Sequence, residues 1–254
     1  MNSSNELLAL AIKAAQKAGN YLRKHESVHV DSMEGRDIKL SSDKKSEQTI
    51  MDILMESGIP IISEEYGLTG NQGDTYWIVD PLDGTLNYYK GIDELACVSI
   101  ALWKDGCPVL GVVNRFAKDE LFYGSSTEGA YLNGERIYTS DIKVTQQAVM
   151  ATGFPVKRSY DNDSLISFVK QVQNFKKVRM LGTAAIMGTF VAAGKFDAYF
   201  EDEIMIWDVA AAVAIVNAAG GETVLEMLDD NKVVCKCFAT NELMRDYYSK
   251  TGDQ

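Results

Sequence analysis

The chain has 254 residues, enough for one large domain or two intimately packed ones, and its 36 acidic against 25 basic side chains leave a net charge of −11. Hydrophobic residues make up 46% and charged residues 24%, the balance of a soluble globular protein. That acidity argues against a role coating nucleic acid, whose phosphates need a basic face, yet it leaves room for a small phosphorylated substrate held through divalent cations.

In chain order, Ser3-x-x-Glu6 has the form of a capping box, and Leu8, Ile12, Ala15, Gly19 and Leu22 follow at helical spacing, predicting a helix over residues 4–26. Residues 31–42 read as polar and irregular, after which Asp43 opens a second helix with Ile50, Ile53 and Leu54 on one face. Residues 59–62 form a short strand running into Ser63-Glu64-Glu65. A fully apolar strand then leads into Asp80-Pro81-Leu82-Asp83-Gly84-Thr85. Pro81 has no N–H and fixes φ, so a turn is expected there, aiming Asp80, the Leu82 carbonyl and Asp83 at one point. Three converging oxygens suit a hard cation such as Mg2+, and the amides of Gly84 and Thr85 at a helix start suit a phosphate.

Beyond that motif, apolar segments at 95–103, 108–114 and 119–124 read as consecutive antiparallel strands, followed by a short strand and turn at 129–134. Further strands are expected at 149–152, 178–181 and 196–200, and helices at 161–174, 183–193 and 208–219. The last of these is rich in alanine and valine, reads as buried, and stops at Gly220-Gly221. Two short strands and a helix near 241–250 complete a layered α/β arrangement without repeats or a flexible linker.

The four cysteines, Cys97, Cys107, Cys235 and Cys237, match no zinc spacing and are expected to be reduced thiols. No membrane span or secretion signal is legible, so a cytoplasmic location is expected. His25 and His29 are the only histidines, so carboxylates and hydroxyls must carry any catalysis. The acidic clusters fall at element ends. Taken singly, Asp43 and Asp208 are plausible helix N-caps, Glu64-Glu65 a solvated pair and Asp83-Gly84 a turn. Taken together, Glu64, Asp80, Asp83 and Asp208 can hold two or three Mg2+ ions and support phosphoryl transfer to water without a protein nucleophile.

With these residues in hand, the chain resembles the inositol monophosphatase family, within the Mg2+-dependent, lithium-sensitive phosphatases. Asp80-Pro81-Leu82-Asp83-Gly84-Thr85-Leu86-Asn87 is similar to the first family signature and Trp207-Asp208-Val209-Ala210-Ala211 to the second. Ser63-Glu64-Glu65, Ser42-Asp43, Thr152-Gly153-Phe154-Pro155 and Gly182-Thr183-Ala184-Ala185 match further family segments, in order along nearly the whole chain. The resemblance implies an αβαβα sandwich spanning 1–254, with a metal-site half over about 1–145 and a substrate half over about 146–254. It implies metal ligands at Glu64, Asp80, the Leu82 carbonyl, Asp83 and Asp208. Asp43 and Thr85 would activate the attacking water, with Glu64 counted in the catalytic group. Gly84 and Thr85 would hold phosphate, and Gly182, Thr183, Ala184 and Glu201 would contact the alcohol. A homodimer is implied, with neither nucleic acid nor membrane as partner.

The leading expectation is Mg2+-dependent hydrolysis of a small phosphomonoester such as myo-inositol monophosphate. The alternatives on the same site are 3′-phosphoadenosine 5′-phosphate, fructose 1,6-bisphosphate and histidinol phosphate, and outside catalysis a regulatory protein-interaction role. Gly91-Ile92-Asp93-Glu94-Leu95 departs from the family pattern and adds two charges near the expected pocket mouth. Tyr66-Gly67 after the glutamate pair and Ala212 in the second signature are smaller departures; none removes a ligand.

Overall fold

The computed structural model describes residues 3–24, 29–34, 37–71, 73–154, 160–229 and 231–252. Pro155 and the last two residues of the anticipated first helix lie outside them. The N-terminal half comprises α1 (Ser4–Lys24), β1 (Val30–Glu34), β2 (Asp37–Leu40), α2 (Ser41–Leu54), β3 (Ile61–Ser63), β4 (Gly67–Thr69), β5 (Thr75–Asp83) and α3 (Thr85–Tyr89). It continues through β6 (Cys97–Lys104), β7 (Cys107–Arg115), β8 (Glu120–Ser125), β9 (Gly129–Leu132) and β10 (Glu135–Arg136). The C-terminal half comprises β11 (Val149–Thr152), α4 (Asn162–Val172), β12 (Lys177–Arg179), α5 (Ala184–Ala192), β13 (Ala198–Met205), α6 (Ile206–Ala218), β14 (Glu222–Met227), β15 (Lys232–Phe238) and α7 (Asn241–Thr251).

Five layers result. An eight-stranded sheet runs β10-β9-β8-β7-β6-β5-β3-β4, and a five-stranded sheet runs β12-β11-β13-β15-β14. Helices α1 and α2 cover one face of the large sheet, α5 and α6 lie between the two sheets, and α7 packs outside the small one. Burial on both faces explains why β5 and β6 read as continuous apolar runs rather than alternating ones. Trp77, Val79, Val98, Ile100 and Leu102 face the α1/α2 core, while Ile78, Cys97, Ala101 and Trp103 face α6. Helix α6 is buried on every side from Val209 to Val216, because a sheet lies on each flank.

The structure departs from the sequence expectations in three places that matter for the site. Residues expected to be irregular form the β1–β2 hairpin, with Met33 opposite Ile38. Pro81 does not end its strand: β5 continues to Asp83, which pairs with Cys97, and the register shifts between Asp80 and Asp83. The proline sits within that irregularity, where a missing N–H breaks no regular ladder bond. Asp43 and Asp208 are not N-caps; each is the third residue of its helix, where an acidic side chain still complements the helix dipole.

The layers approach closely where side chains are absent. A Cβ on Gly111 of β7 would lie 2.1 Å from the backbone oxygen of Ala211 in α6. Backbone cannot step aside as a side-chain tip can. Gly111→Ala is therefore expected to destabilise the protein by at least about 2 kcal/mol, in the range of core overpacking. Gly73→Ala, where a Cβ meets nothing within 4 Å, serves as the neutral control. Urea unfolding monitored by tryptophan fluorescence checks the difference.

Candidate metal and phosphate site

Six elements meet between the two sheets. Helix α2 supplies Asp43, the end of β3 leads to Glu64, the β5 irregularity supplies Asp80 to Asp83, α5 begins after Thr183, β13 carries Glu201, and the first turn of α6 carries Asp208. A cavity of about 350 Å3 opens there. Of the residues singled out from sequence, Glu64, Asp83, Gly182, Thr183, Ala184, Glu201 and Asp208 form part of its wall. Asp43, Asp80 and Leu82 are buried and do not line it, and neither do Gly84 or Thr85. Asp93 and Glu94, expected near the mouth, are absent from the wall too; the Glu94 carbonyl instead accepts from Arg115 Nη2 at 2.6 Å.

The carboxylates stand within electrostatic reach of one another. Burial pushes the Asp80 carboxyl well above its usual range, and the charges of Glu64, Asp83 and Asp208 push it further. Asp208 is raised for the same reasons, by burial and then by Glu64, Asp83 and Glu201, while a hydrogen bond with Asp80 opposes the shift. Asp83 is raised to about 6 by burial, against the lowering effect of its hydrogen bonds to Thr183 and Ala185. Among the described residues no three of these groups stand close enough to form a finished ligand cage. The donor set nevertheless fits a hard divalent cation: all-oxygen, anionic, and too repulsive to ionise together without one.

Asp83 spans the two halves of the chain. Its Oδ2 accepts from Thr183 Oγ1 at 2.5 Å and from Ala185 N at 2.8 Å, so this β5 residue serves as the anionic cap of α5. Gly84 follows in the left-handed region at φ 86°, and a Cβ there would lie 2.4 Å from the Leu95 carbonyl oxygen, so only glycine fits. Asp80 Oδ1 accepts from Leu82 N at 2.9 Å, and the Leu82 carbonyl accepts from Thr85 Oγ1 at 2.8 Å. Thr85 therefore bonds to Leu82 here rather than to Asp43. Asp43 Oδ2 accepts from Leu40 N at 2.9 Å, while its Oδ1 is buried with no partner. Burial, reinforced by Glu65, raises the Asp43 carboxyl to about 7, with the Leu40 amide working against the shift.

Several supporting residues escaped the sequence reading. On α2, Ser46 donates to the Pro81 carbonyl at 2.8 Å, and the fully buried Glu47 accepts from Glu65 N at 3.2 Å and Tyr66 N at 3.0 Å. Two adjacent side chains thus brace both acidic turns. Glu47 lies one helical turn after Asp43, and that spacing was the signal available. Asn87 Nδ2 faces the carbonyls of Leu95, Leu181 and Gly182 at 2.9, 2.8 and 3.2 Å, tying α3 to the start of the Gly182-Thr183-Ala184 segment. Lys39 of β2 is the one cation in the described cavity wall and reaches Glu65 Oε1 at 2.8 Å. Its role was hidden because the hairpin that carries it was read as irregular.

The inositol monophosphatase family model matches residues 3–235. The "Nus factor SuhB" of Pasteurella multocida (strain Pm70) is 36% identical over 225 residues, covering 85% of this chain and 84% of that protein. The protein of the same name from Escherichia coli (strain K12) is 36% identical over 223 residues, covering 85% and 83%. Among solved structures, the inositol monophosphatase of Anabaena (Nostoc) sp. PCC 7120 superposes with a TM-score of 0.84 at 30% identity, covering 97% of this chain and 94% of that one. The extragenic suppressor protein suhB of Bartonella henselae gives a TM-score of 0.84 at 29% identity, covering 97% and 99%. The mutual placement of the acidic turns, the two-sheet sandwich and these likenesses agree that the chain belongs to the inositol monophosphatase family.

Proposed function

We propose that the protein is a Mg2+-dependent phosphomonoesterase acting on a small polyol phosphate, with myo-inositol monophosphate as the leading candidate. The observation that carries this reading is the set of four mutually repelling carboxylates, Glu64, Asp80, Asp83 and Asp208, gathered where a helix start and a substrate-sized cavity meet. These four and the Leu82 carbonyl would hold two or three Mg2+ ions. Bound there, Mg2+ would neutralise phosphoryl oxygens and lower the pKa of water for attack.

The chain's own groups take the remaining work. The Gly84 and Thr85 amides orient the phosphate. Asp43, with an unpartnered carboxylate oxygen, accepts the proton of the attacking water, and the Thr85 hydroxyl turns from Leu82 to align that water. Glu64 shares this catalytic group as well as the ligand set. Gly182, Thr183, Ala184 and Glu201 receive the alcohol. In this reading residues 1–145 carry the metal site, 146–254 complete the substrate wall, and the whole chain works as one domain, as a homodimer. A second reading, a regulatory binding role, is favoured by the designation of the SuhB relatives as Nus factors; it does not exclude the first. No helix among the described residues is long and apolar enough to cross a membrane.

The decisive experiment is hydrolysis of a phosphomonoester panel with chelator and with restored Mg2+. Activity is expected only with the cation, and full activity without it would overturn the mechanism. Asp208→Asn keeps a group able to hydrogen-bond Asp80 while removing a charge; it is expected to lower kcat by at least about 10²-fold without unfolding the protein. Circular dichroism alongside steady-state rates separates the two effects. A purely regulatory protein would show neither dependence.

Asn87→Ala removes a donor shared by three carbonyls. It is expected to raise KM more than it lowers kcat, because the Gly182 segment loosens while the carboxylates stay in place; initial-rate kinetics over a range of substrate concentrations checks the split.

The raised carboxyls also set a pH dependence. Asp43 and Asp83 hold protons more tightly when folded, up to about 7 and about 6, and Asp80 and Asp208 shift in the same direction. The stability they contribute is full below the ordinary carboxylate pKa near 4 and is lost as pH rises through 6 to 7. In chelator, Tm is expected to be lower at pH 8 than at pH 5 by on the order of 5 °C, and millimolar Mg2+ should narrow the gap. Scanning calorimetry at both pH values checks the sign.

A further inference from the structure

A second cavity, of about 570 Å3, opens where α1 lies against β7 and β8, and it shares no lining residue with the acidic one. Asn114 of β7 lines it and is only 7% exposed. Its Nδ2 donates to the Ala15 carbonyl at 2.8 Å, and a Cβ on Gly19 would lie 2.4 Å from that nitrogen, so the nitrogen end of the amide is held against α1. The donor role also fixes which end is oxygen. Oδ1 has no hydrogen-bond partner among the described residues, yet, unlike Asp43 Oδ1, it is not sealed from solvent. It therefore opens on the cavity that its residue lines. Gln16 and Asn20 stand one turn apart on the α1 wall, exposed, and neither side-chain amide is hydrogen-bonded among the described residues. The charged groups of the wall cancel: Arg23 Nη2 pairs with Asp119 Oδ1 at 2.5 Å and also donates to the Phe116 carbonyl. Tyr123 of β8 adds an aromatic group, its ring stacked at 5.4 Å and 16° on its cross-strand partner Tyr131.

A carbonyl oxygen fixed in this way selects an N–H or O–H donor. Gln16 and Asn20 each carry a donor and an acceptor side by side, the pairing that reads the edge of a nucleobase. Leu121 and Tyr123 place apolar surface beside these amides, which suits a flat ring better than a polyol whose every carbon bears a hydroxyl. Because Arg23 and Asp119 neutralise each other, neither a phosphate nor an ammonium finds an uncompensated charge. We propose that this cavity is a second binding site, specific for a neutral planar heterocycle bearing N–H groups, the chemistry of a nucleobase, with Asn114 Oδ1 as its fixed acceptor. Free nucleosides and single-stranded nucleic acid both present that chemistry, and the net charge of −11 favours the nucleoside. The inference is independent of the phosphomonoesterase reading, since its residues lie outside the acidic site and a nucleoside carries no phosphate.

Calorimetric titration and saturation-transfer NMR with adenosine, guanosine, cytidine and uridine test the site, with myo-inositol as the hydroxyl-only competitor and oligoadenylate as the single strand. At least one nucleoside is expected to bind saturably, one per chain, and myo-inositol should not displace it. Gln16→Ala and Asn20→Ala remove exposed amides without an internal partner, so the fold should be kept; each is expected to weaken binding by about two- to tenfold, the scale of one hydrogen bond. Tyr123→Leu keeps apolar bulk without the ring and is expected to weaken it by at least about fivefold. Asn114→Ser should weaken it as well, with circular dichroism reporting whether it folds; if it does not, the other three variants carry the test. Oligoadenylate binding that is tighter than adenosine and falls with salt places the base in a strand, and equal or weaker binding places it in a nucleoside; both support the site. Nucleoside binding unchanged by Gln16→Ala, Asn20→Ala and Tyr123→Leu, or displaced by myo-inositol, overturns the inference. So does the absence of binding by every nucleoside and by oligoadenylate at millimolar concentration, and neither result touches the phosphatase reading.

Discussion

The site depends on one buried carboxylate that belongs to both halves of the chain. Asp83 Oδ2 accepts from the Thr183 hydroxyl and the Ala185 amide, 100 and 102 residues further along. One oxygen is thereby committed to the first turn of α5. That bond fixes the small sheet and its helices against the large sheet, because α5 packs against β11 and β13 while Asp83 is the last residue of β5. A buried anion is costly unless it is hydrogen-bonded, and a helix N-terminus is the least costly partner the backbone can supply. The cleft between the halves is therefore held by the same group that points into it.

Around that anchor the protein gathers more negative charge than folding alone would tolerate. Asp80 and Asp208 share a hydrogen bond, and both are pushed toward the protonated form by burial and by their neighbours. The fold supplies rigid support for this repulsive group. Ser46 and Glu47 hold the Pro81 and Glu65–Tyr66 backbones from α2, and Asn87 joins α3 to Leu181 and Gly182. These contacts are backbone-directed, so they fix where the acidic side chains start without consuming the carboxylates themselves. Asp43 Oδ1 and the Trp207 indole nitrogen, both near the acidic turns, are buried without a hydrogen-bond partner.

The family likeness joins two kinds of description. Relatives of similar identity are called Nus factor SuhB or inositol monophosphatase. Fold alone does not choose between catalysis and binding. What favours catalysis in this chain is local: every acidic position expected of the site is filled, and Glu64, Asp83 and Asp208 open onto one cavity.

The sequence by itself determined the layered fold and the identity of the acidic turns. Apolar runs such as 77–79 and 97–103 read as strands, and Asp80-Pro81-Leu82-Asp83-Gly84-Thr85 packs its meaning into consecutive residues. It misjudged what local rules cannot see. Whether Pro81 ends a strand or sits in a bulge depends on β6 pairing past it through Cys97. The β1–β2 hairpin, rich in polar residues, shows little apolar alternation to read, so Lys39 could not be placed in the cavity wall. Asn87 and Glu47 act on backbone brought to them from elsewhere, 94 residues away at Leu181 and 18 at Glu65. Periodicity reports which face of an element is buried; only the closed tertiary structure decides which distant carbonyl or amide meets that face, because each such contact depends on chain segments that no local pattern links.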